Sequence, residues 1–317
     1  MDWRFDDMVT FLDVLETGSI TLSAARLNLS KSVVSKRISD LEQALGVALF
    51  QRSPRKLTPT ESAGDFADRI RPLIRDIIDA ADTVSERQSG LKGRLRIAAP
   101  MSFGTMYLSR IIADFALAHP DLQIAADFDD RMTDIVQSGF DVGIRIGALK
   151  DSSLIAKKLC TDPRVICCSP HYAAARGLPK TLEDLPNFDC LDYANVHAGQ
   201  IWQFDNPAGK GPPVSVGMHS RIVANNGEAM RDMAIAGLGL VLLPMFICAE
   251  ALRDGRLIPV RLDAKPSAYT IHAVYPPTRH LPAKVRAFVD HLARHITDPP
   301  LWRLASEGAP SGVSRDA

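Results

Sequence analysis

Ala24-Ala25-Arg26-Leu27-Asn28-Leu29-Ser30-Lys31-Ser32-Val33-Val34-Ser35-Lys36-Arg37-Ile38-Ser39-Asp40-Leu41 is the stretch that decides how this chain begins. Asn28 tolerates a left-handed backbone and suits a tight turn between helices. Ser30 then offers a side-chain oxygen as an N-cap. Val34, Ile38, Leu41 and Leu45 recur at i, i+4, i+7 and i+11, an apolar stripe along one helix that Gly46 ends. Lys31, Ser32, Ser35, Lys36 and Ser39 stand off that stripe. Hydroxyls and helix amides hold phosphates, while a lysine reaches base edges, so this face suits a DNA major groove.

The flanks support that reading over an ordinary solvated face. Met8, Phe11, Leu12 and Leu15 mark an amphipathic helix that Gly18-Ser19 interrupts, and a second, short helix is expected from about Thr21 to Leu27. After Leu49-Phe50, the run Gln51-Arg52-Ser53-Pro54-Arg55-Lys56 cannot continue a helix because of Pro54. It reads as a short basic hairpin, a wing adding phosphate or minor-groove contacts. The candidate DNA-binding residues are therefore Ser30, Lys31, Ser32, Ser35, Lys36, Arg37, Arg52, Arg55 and Lys56. The 37 basic and 37 acidic residues cancel over the whole chain, but residues 26–56 hold seven bases against two acids. Local charge, not the sum, meets phosphate, so neutrality does not exclude nucleic acid.

Thr58-Pro59-Thr60-Glu61 reads as a helix start, with Thr58 as N-cap, Pro59 in first position and Glu61 completing a capping box. The apolar positions Ala63, Phe66, Ile70, Leu73, Ile77 and Val84 resemble a coiled-coil seam from Thr60 to Arg87, with Pro72 expected to kink it. Such a seam is more easily buried against a second copy than within so short a domain. Ser89-Gly90-Leu91-Lys92-Gly93 reads as a hinge.

Beyond the hinge, strands alternate with helices, the signature of parallel α/β units. Strands are expected at 95–98, 122–128, 141–146, 165–168, 240–243 and 269–274. Helices are expected at 103–118, 131–138, 228–236, 245–252 and 282–296. In open α/β sheets, ligands bind outside the carboxyl ends of strands, often on helix N-termini. Two openings qualify, Pro100-Met101-Ser102-Phe103-Gly104 and Asn225-Asn226-Gly227-Glu228, both of which also read as plain capping sequences. Ser102, Asn225 and Asn226 lead the candidates for an effector site, with Phe103 as a wall of the pocket; Asp129, Gly147, His197 and Trp202 stand behind them, His197 reading also as a loop histidine and Trp202 as a core residue.

The acidic start lacks a secretory pattern, and the longest apolar run, Met233–Ile247, has 15 residues broken by Gly237, Gly239 and Pro244. A cytoplasmic protein with no membrane partner is expected. Its five cysteines form no CxxC pair and read as reduced, buried thiols; Cys160 with Cys167 or Cys168 is the alternative, a redox pair. No GxSxG, HExxH or GxxxxGK[ST] occurs, so no enzyme, metal or cofactor is expected.

The first 65 residues resemble the LysR-type transcriptional regulators. The motif is Ala24 through Ile38, then Leu41-Glu42, Leu45-Gly46, Leu49-Phe50, Arg52 and Leu57-Thr58-Pro59-Thr60. Leu95–Pro100, Phe140–Arg145 and Gly237–Pro244 sit where that family's effector domain places strands, so the resemblance covers about residues 4–297. It implies an all-α N-terminal part, a winged helix-turn-helix over 1–59, then a linker helix and hinge over 60–90. An α/β, periplasmic-binding-protein-like effector domain would follow over 91–297. Its two subdomains are expected at about 91–163 with 267–297, and at 164–266, with 298–317 as a disordered tail. The resemblance also places Ser102 at the cleft between subdomains. It implies promoter DNA, a small-molecule effector and a homodimer or homotetramer, with RNA polymerase open as a further partner. Lys31 and Lys36 depart from the glutamine and arginine usual there. The rival reading is a solute-binding or enzymatic α/β protein with a DNA-binding-like appendage.

Overall fold

A computed structural model describes residues 3–52, 57–131, 134–149, 153–194, 201–278 and 281–302, with backbone alone at 52, 75 and 79–89. The chain forms two compact units, Met1–Ser89 with Val136–Gly139 and Gly90–Ile135 with Phe140–Ala317.

In the first unit, α1 (Phe5–Thr17), α2 (Ile20–Arg26) and α3 (Lys31–Leu45) precede a hairpin of β1 (Phe50–Arg52) and β2 (Leu57–Pro59), then α4 (Glu61–Ser89). Asn28 takes the turn with φ 53°. Ser19 Oγ accepts from Leu22 N and Ser30 Oγ from Val33 N, each at 3.3 Å, capping α2 and α3. Phe11, Val14, Val34, Ile38, Leu41 and Leu49 form the core. Glu42 ties the end of α3 to the wing, accepting from Leu49 N (2.8 Å) and Phe50 N (3.0 Å).

Two expectations are corrected here. Thr58 and Pro59 belong to β2, paired with Gln51 and Phe50, and the cap of α4 is Thr60, whose Oγ1 accepts from Ala63 N at 3.2 Å. Proline tolerates the end of an edge strand, so hairpin pairing outranks the capping box. The apolar seam also divides. Ala63 and Ile70 are buried in the unit's own core, and Phe66 packs against it with its ring 5.6 Å from that of Phe11. Leu73, Ile77 and Ile78 stay exposed at 60%, 53% and 42%. The helix runs through Pro72 as one element, and Val84 lies where only backbone is described.

In the second unit, β3 (Gly93–Ala99) leads into α5 (Met101–Phe103), a π turn at Gly104–Leu108 and α6 (Ser109–Ala118). Then come β4 (Leu122–Phe128), β5 (Val142–Ile146), β6 (Ile155–Asp162), β7 (Arg164–Cys168), α7 (Pro170–Arg176) and β8 (Cys190–Tyr193). A hairpin of β9 (Ile201–Phe204) and β10 (Val214–Gly217) is followed by β11 (Ser220–Ala224), α8 (Gly227–Ile235), β12 (Leu240–Pro244) and α9 (Met245–Arg253). The last elements are β13 (Ile258–Pro259), β14 (Tyr269–Tyr275) and α10 (Ala283–His295).

The strands form two five-stranded sheets, ordered β4-β3-β5-β14-β6 and β11-β8-β12-β7-β13. The chain crosses from first to second at Asp162–Arg164 and returns between β13 and β14. Strands joined through helices are parallel, as in β3–β4 and β8–β12, whereas β14, β7 and β13 run antiparallel to their neighbours. The parallel pairing expected of α/β units holds where a helix joins the strands, and antiparallel pairing enters at the crossovers, where a strand arrives directly from the other sheet without a returning helix. One core joins both sheets, from Leu95, Ile144 and Ile271 to Leu191, Val241 and Leu243. The helix expected at 131–138 is replaced over 135–139 by turns, closed by Phe140 N to Ile135 O (2.9 Å) with Gly139 at φ 73°. Among the described residues, no helix is long and apolar enough to cross a membrane.

Candidate functional site

Helix α3 presents Lys31, Ser32 and Lys36 to solvent, with Ser35 half-buried beside them. Ser30 and Ser32 share a 2.8 Å hydroxyl contact at the helix opening. Lys36 pairs with Asp40 one turn on at 2.9 Å, both side chains exposed. An exposed pair of this kind contributes little to stability. Arg37, expected on this face, points inward instead. It donates to Asp6 Oδ2 and Thr10 Oγ1, each at 3.1 Å, and fastens α3 to α1. Arg37 sits one position from Lys36, about 100° around the helix, which carries it toward α1. Of Arg52 only the backbone is described, and Arg55 and Lys56 lie outside the described residues.

The second candidate site lies where the two sheets meet. Met101 and Ser102 open α5 after β3 of the first sheet, and Gly227 opens α8 after β11 of the second. A Cβ built on Gly227 would lie 3.7 Å from Ser102 Oγ, so these two openings face each other. Ser102 is 5% exposed, and its Oγ has no hydrogen-bond partner among the described residues. A buried hydroxyl left unpaired costs ~1–3 kcal/mol, so a group that supplies its partner is favoured. The first amides of α8 add the positive end of a helix dipole. Thr105 Oγ1 donates to Glu228 Oε2 across the same junction at 3.3 Å, and Asp130 Oδ1 accepts from Met101 N at 2.8 Å. Neither Thr105–Glu228, 123 residues apart in sequence, nor Asp130 was legible without the fold.

Gly104 does not open a helix as expected; it starts the π turn. A Cβ there would come within 2.5 Å of the Phe128 ring, so glycine lets β4's aromatic close over the turn. The other expected residues disperse. Phe103 is fully buried, stacked on Tyr107 and edge-on to Phe246, a core ring and not an open wall. Asp129 is engaged by Arg131, which donates from its backbone N (2.8 Å) and Nη2 (2.6 Å) and holds the carboxyl below its ordinary pKa. Gly147 ends β5 at φ 103°, its N donating to Thr270 O at 3.0 Å. Trp202 is buried with Phe204, Met218 and Tyr172 in a separate core. Alternation along β9 turns it inward, which its sequence neighbours do not reveal. Asn226 caps α8, accepting from Ala229 N at 2.8 Å, and Asn225 is exposed. His197 lies outside the described residues.

Both crossovers between the sheets are held by Arg164. Its guanidinium donates to Ser267 O (2.6 Å), Gln203 O (2.9 Å) and Tyr269 OH (3.1 Å), and lies 4.3 Å over the Tyr269 ring. The five cysteines are all buried. Burial pushes the Cys160 thiol up to about 12 and Cys168 up to about 11. The thiols brought together are Cys167 and Cys248, with Sγ atoms 3.7 Å apart, and the bond between them and their burial also raise Cys167. Thiolate is therefore disfavoured at Cys160, Cys167 and Cys168, which fits packing better than redox chemistry.

The bacterial regulatory helix-turn-helix protein pattern of the lysR family matches residues 5–64, and the LysR substrate binding domain pattern matches residues 88–297. The chain is 35% identical over 275 residues to an uncharacterized HTH-type transcriptional regulator of Haemophilus influenzae, covering 87% of this chain and 94% of the relative. It is 32% identical over 304 residues to the HTH-type transcriptional regulator PtxR of Pseudomonas aeruginosa, covering 95% and 96%. Its fold is similar to the full-length Vibrio cholerae virulence activator AphB, at TM-score 0.59 and 28% identity, covering 92% of this chain and 99% of that one. These relatives are named as regulators and not as enzymes. A helix-turn-helix with an exposed basic α3, followed by a two-sheet ligand-binding domain, places the chain in the LysR family of DNA-binding transcription regulators.

Proposed function

We propose that this regulator reads its promoter with Lys31, Ser32, Ser35 and Lys36, and that a small anionic or carbonyl-bearing effector bound beside Ser102 sets its affinity for DNA. The observation that carries the reading is the buried Ser102 hydroxyl, unpartnered and facing the opening of α8. A carboxylate or carbonyl oxygen there would accept a hydrogen bond from the Ser102 hydroxyl and lie within the field of the helix amides. Effector and DNA are then linked by a coupling of ~1–3 kcal/mol, which must be reciprocal.

The test is calorimetry on a ligand identified by a thermal-shift screen of small carboxylates and carbonyl compounds. Ser102→Ala should weaken that ligand by ~1–3 kcal/mol while leaving effector-free DNA binding unchanged. Equal affinity in wild type and variant removes Ser102 from the site and reduces it to a helix residue. The same reading takes the chain to be an oligomer, a homodimer or homotetramer, through Leu73, Ile77 and Ile78 of α4, whose exposed side chains have no place in the core of their own unit. Sedimentation of wild type against Leu73→Asp with Ile77→Asp decides this, and a monomer mass for the wild type at micromolar concentration refutes it. A cytoplasmic location and contact with RNA polymerase accompany promoter work in this proposal.

A further inference from the structure

Two carboxylates sit beside the residues that face each other at the Ser102 opening. Glu228, next to Gly227 in the first turn of α8, accepts from Thr105 Oγ1 at 3.3 Å. Asp130 Oδ1 accepts at 2.8 Å from the backbone N of Met101, next to Ser102. Both acids are half-buried, and neither of these donors carries a charge. The bases in the same stretches of chain are bonded to other acids. Arg131 Nη2 meets Asp129 at 2.6 Å, and Arg231 Nε meets Asp232 at 2.9 Å. Arg231 Nη1 also donates to Ile247 O at 3.5 Å.

The remaining border is apolar. A Cβ on Gly227 would lie 2.5 Å from Ile247 Cδ1 and 3.7 Å from Ser102 Oγ, so an isoleucine methyl adjoins the place where the hydroxyl meets the opening of α8. Ile247 is 5% exposed. The chain neighbours of Ser102 and Ile247, Phe103 and Phe246, meet edge-on at 5.4 Å. Trp302 is buried against both, its ring centroid 6.0 and 6.1 Å from theirs, which corrects the expected disordered tail over 298–302.

The Ser102 hydroxyl and the first amides of α8 suit one negative charge. A second negative charge on a small molecule held there meets Glu228 or Asp130, and like charges repel more strongly where water is partly excluded. The methyl of Ile247 favours an apolar body over a second polar head.

We propose that the effector carries a single carboxylate on a small apolar body, and that Glu228 is the specificity-determining residue that rejects a second carboxylate. The inference rests on the Ser102 site and narrows its ligand to small monocarboxylates.

The experiment is titration calorimetry on the full-length protein with matched acids: butyrate against succinate, valerate against glutarate, and benzoate against phthalate. At least one monocarboxylate should bind, with its dicarboxylate partner about tenfold or more weaker. Glu228→Gln keeps an oxygen for Thr105 without the charge and should bring that pair within about threefold. Glu228→Asp keeps the charge and should keep the wild-type ratio. A purely structural role for Glu228 moves both acids of a pair together, so an unchanged ratio in Glu228→Gln overturns it as the determinant. Should that variant fail to fold, the wild-type ratio at raised salt decides: screening shrinks discrimination by charge, and a ratio that salt leaves alone overturns the proposal. A wild type that binds a dicarboxylate as tightly as its partner, or binds no acid of the panel, overturns the monocarboxylate. Ser102→Ala separates these failures from failure of the site. If it binds the preferred acid as tightly as wild type, the ligand lies elsewhere and the Ser102 reading falls. If it weakens both acids of a pair that the wild type does not distinguish, the site stands and only the rejection by Glu228 falls.

Discussion

Ser30 and Ser102 are the same residue type at the openings of two helices, in opposite states. Ser30 is exposed, and its oxygen is used twice, by Val33 N and by Ser32. Ser102 is buried, and its oxygen is used by no other described residue. On the proposed function, the contrast follows from what each unit would bind. DNA is a charged polymer met in water, so its surface needs exposed cations whose present partners, such as Asp40 for Lys36, are given up cheaply. A small ligand must be enclosed, so its site holds groups whose hydrogen bonding stays incomplete until the ligand arrives.

The largest effect should fall on the exposed surface. Lys31→Ala with Lys36→Ala should weaken promoter binding by ~1–3 kcal/mol for each lysine that reads a base, and make the salt dependence shallower. Fluorescence anisotropy across a salt series separates the two contributions. An unchanged slope and affinity would take both lysines off the DNA.

Next comes one substitution made in both places. Ser30→Ala removes a satisfied cap and should cost the first unit ~0.5–2 kcal/mol. Ser102→Ala removes an unsatisfied buried hydroxyl and should leave ligand-free stability unchanged or raised. Urea unfolding followed by hydrogen exchange in each unit reads the two signs, and equal losses would erase the contrast. Arg37→Ala tests the same boundary from the other side. It should lower stability by ~1 kcal/mol through the lost bonds to Asp6 and Thr10. Relative affinities among DNA sequences should not move; a change of preference would return Arg37 to the recognition face.

The sequence showed the first unit almost residue by residue, because its signals are local. Asn28, Ser30 and Gly46 mark ends within one helix, and the stripe Val34-Ile38-Leu41 faces its own core. The second unit was legible at the level of strands such as 122–128, but less so in its site. The Thr105–Glu228 and Trp302–Asp162 bonds join residues more than a hundred positions apart. No period or cap records such a meeting. Misreadings share one cause. Arg37 and Ile70 are placed by chemistry and spacing alone, which do not tell which neighbour their side of the helix faces.

The smallest effect is a pH response confined to one unit. Residues 1–89 contain no histidine, whereas His272 and His291 lie in the second unit. Burial holds both imidazoles below the ordinary 6.5, with Lys158 adding to the shift at His272 and His295 at His291. A proton therefore binds the unfolded chain more readily than the folded one. Stability from these groups is complete above pH 6.5 and is lost as pH falls through that value toward the lower folded ones. His291 Nε2 lies 3.1 Å from Ile111 O, joining α10 to α6, so protection in those helices should decline first. Hydrogen exchange compared between neutral and mildly acid buffer should show the decline in the second unit, beyond any change in α1 to α3. His272→Gln with His291→Gln should flatten it, since glutamine keeps a polar contact without titrating there. An identical acid response in the double variant would move the pH dependence to carboxylates, and the two units would no longer differ in this respect.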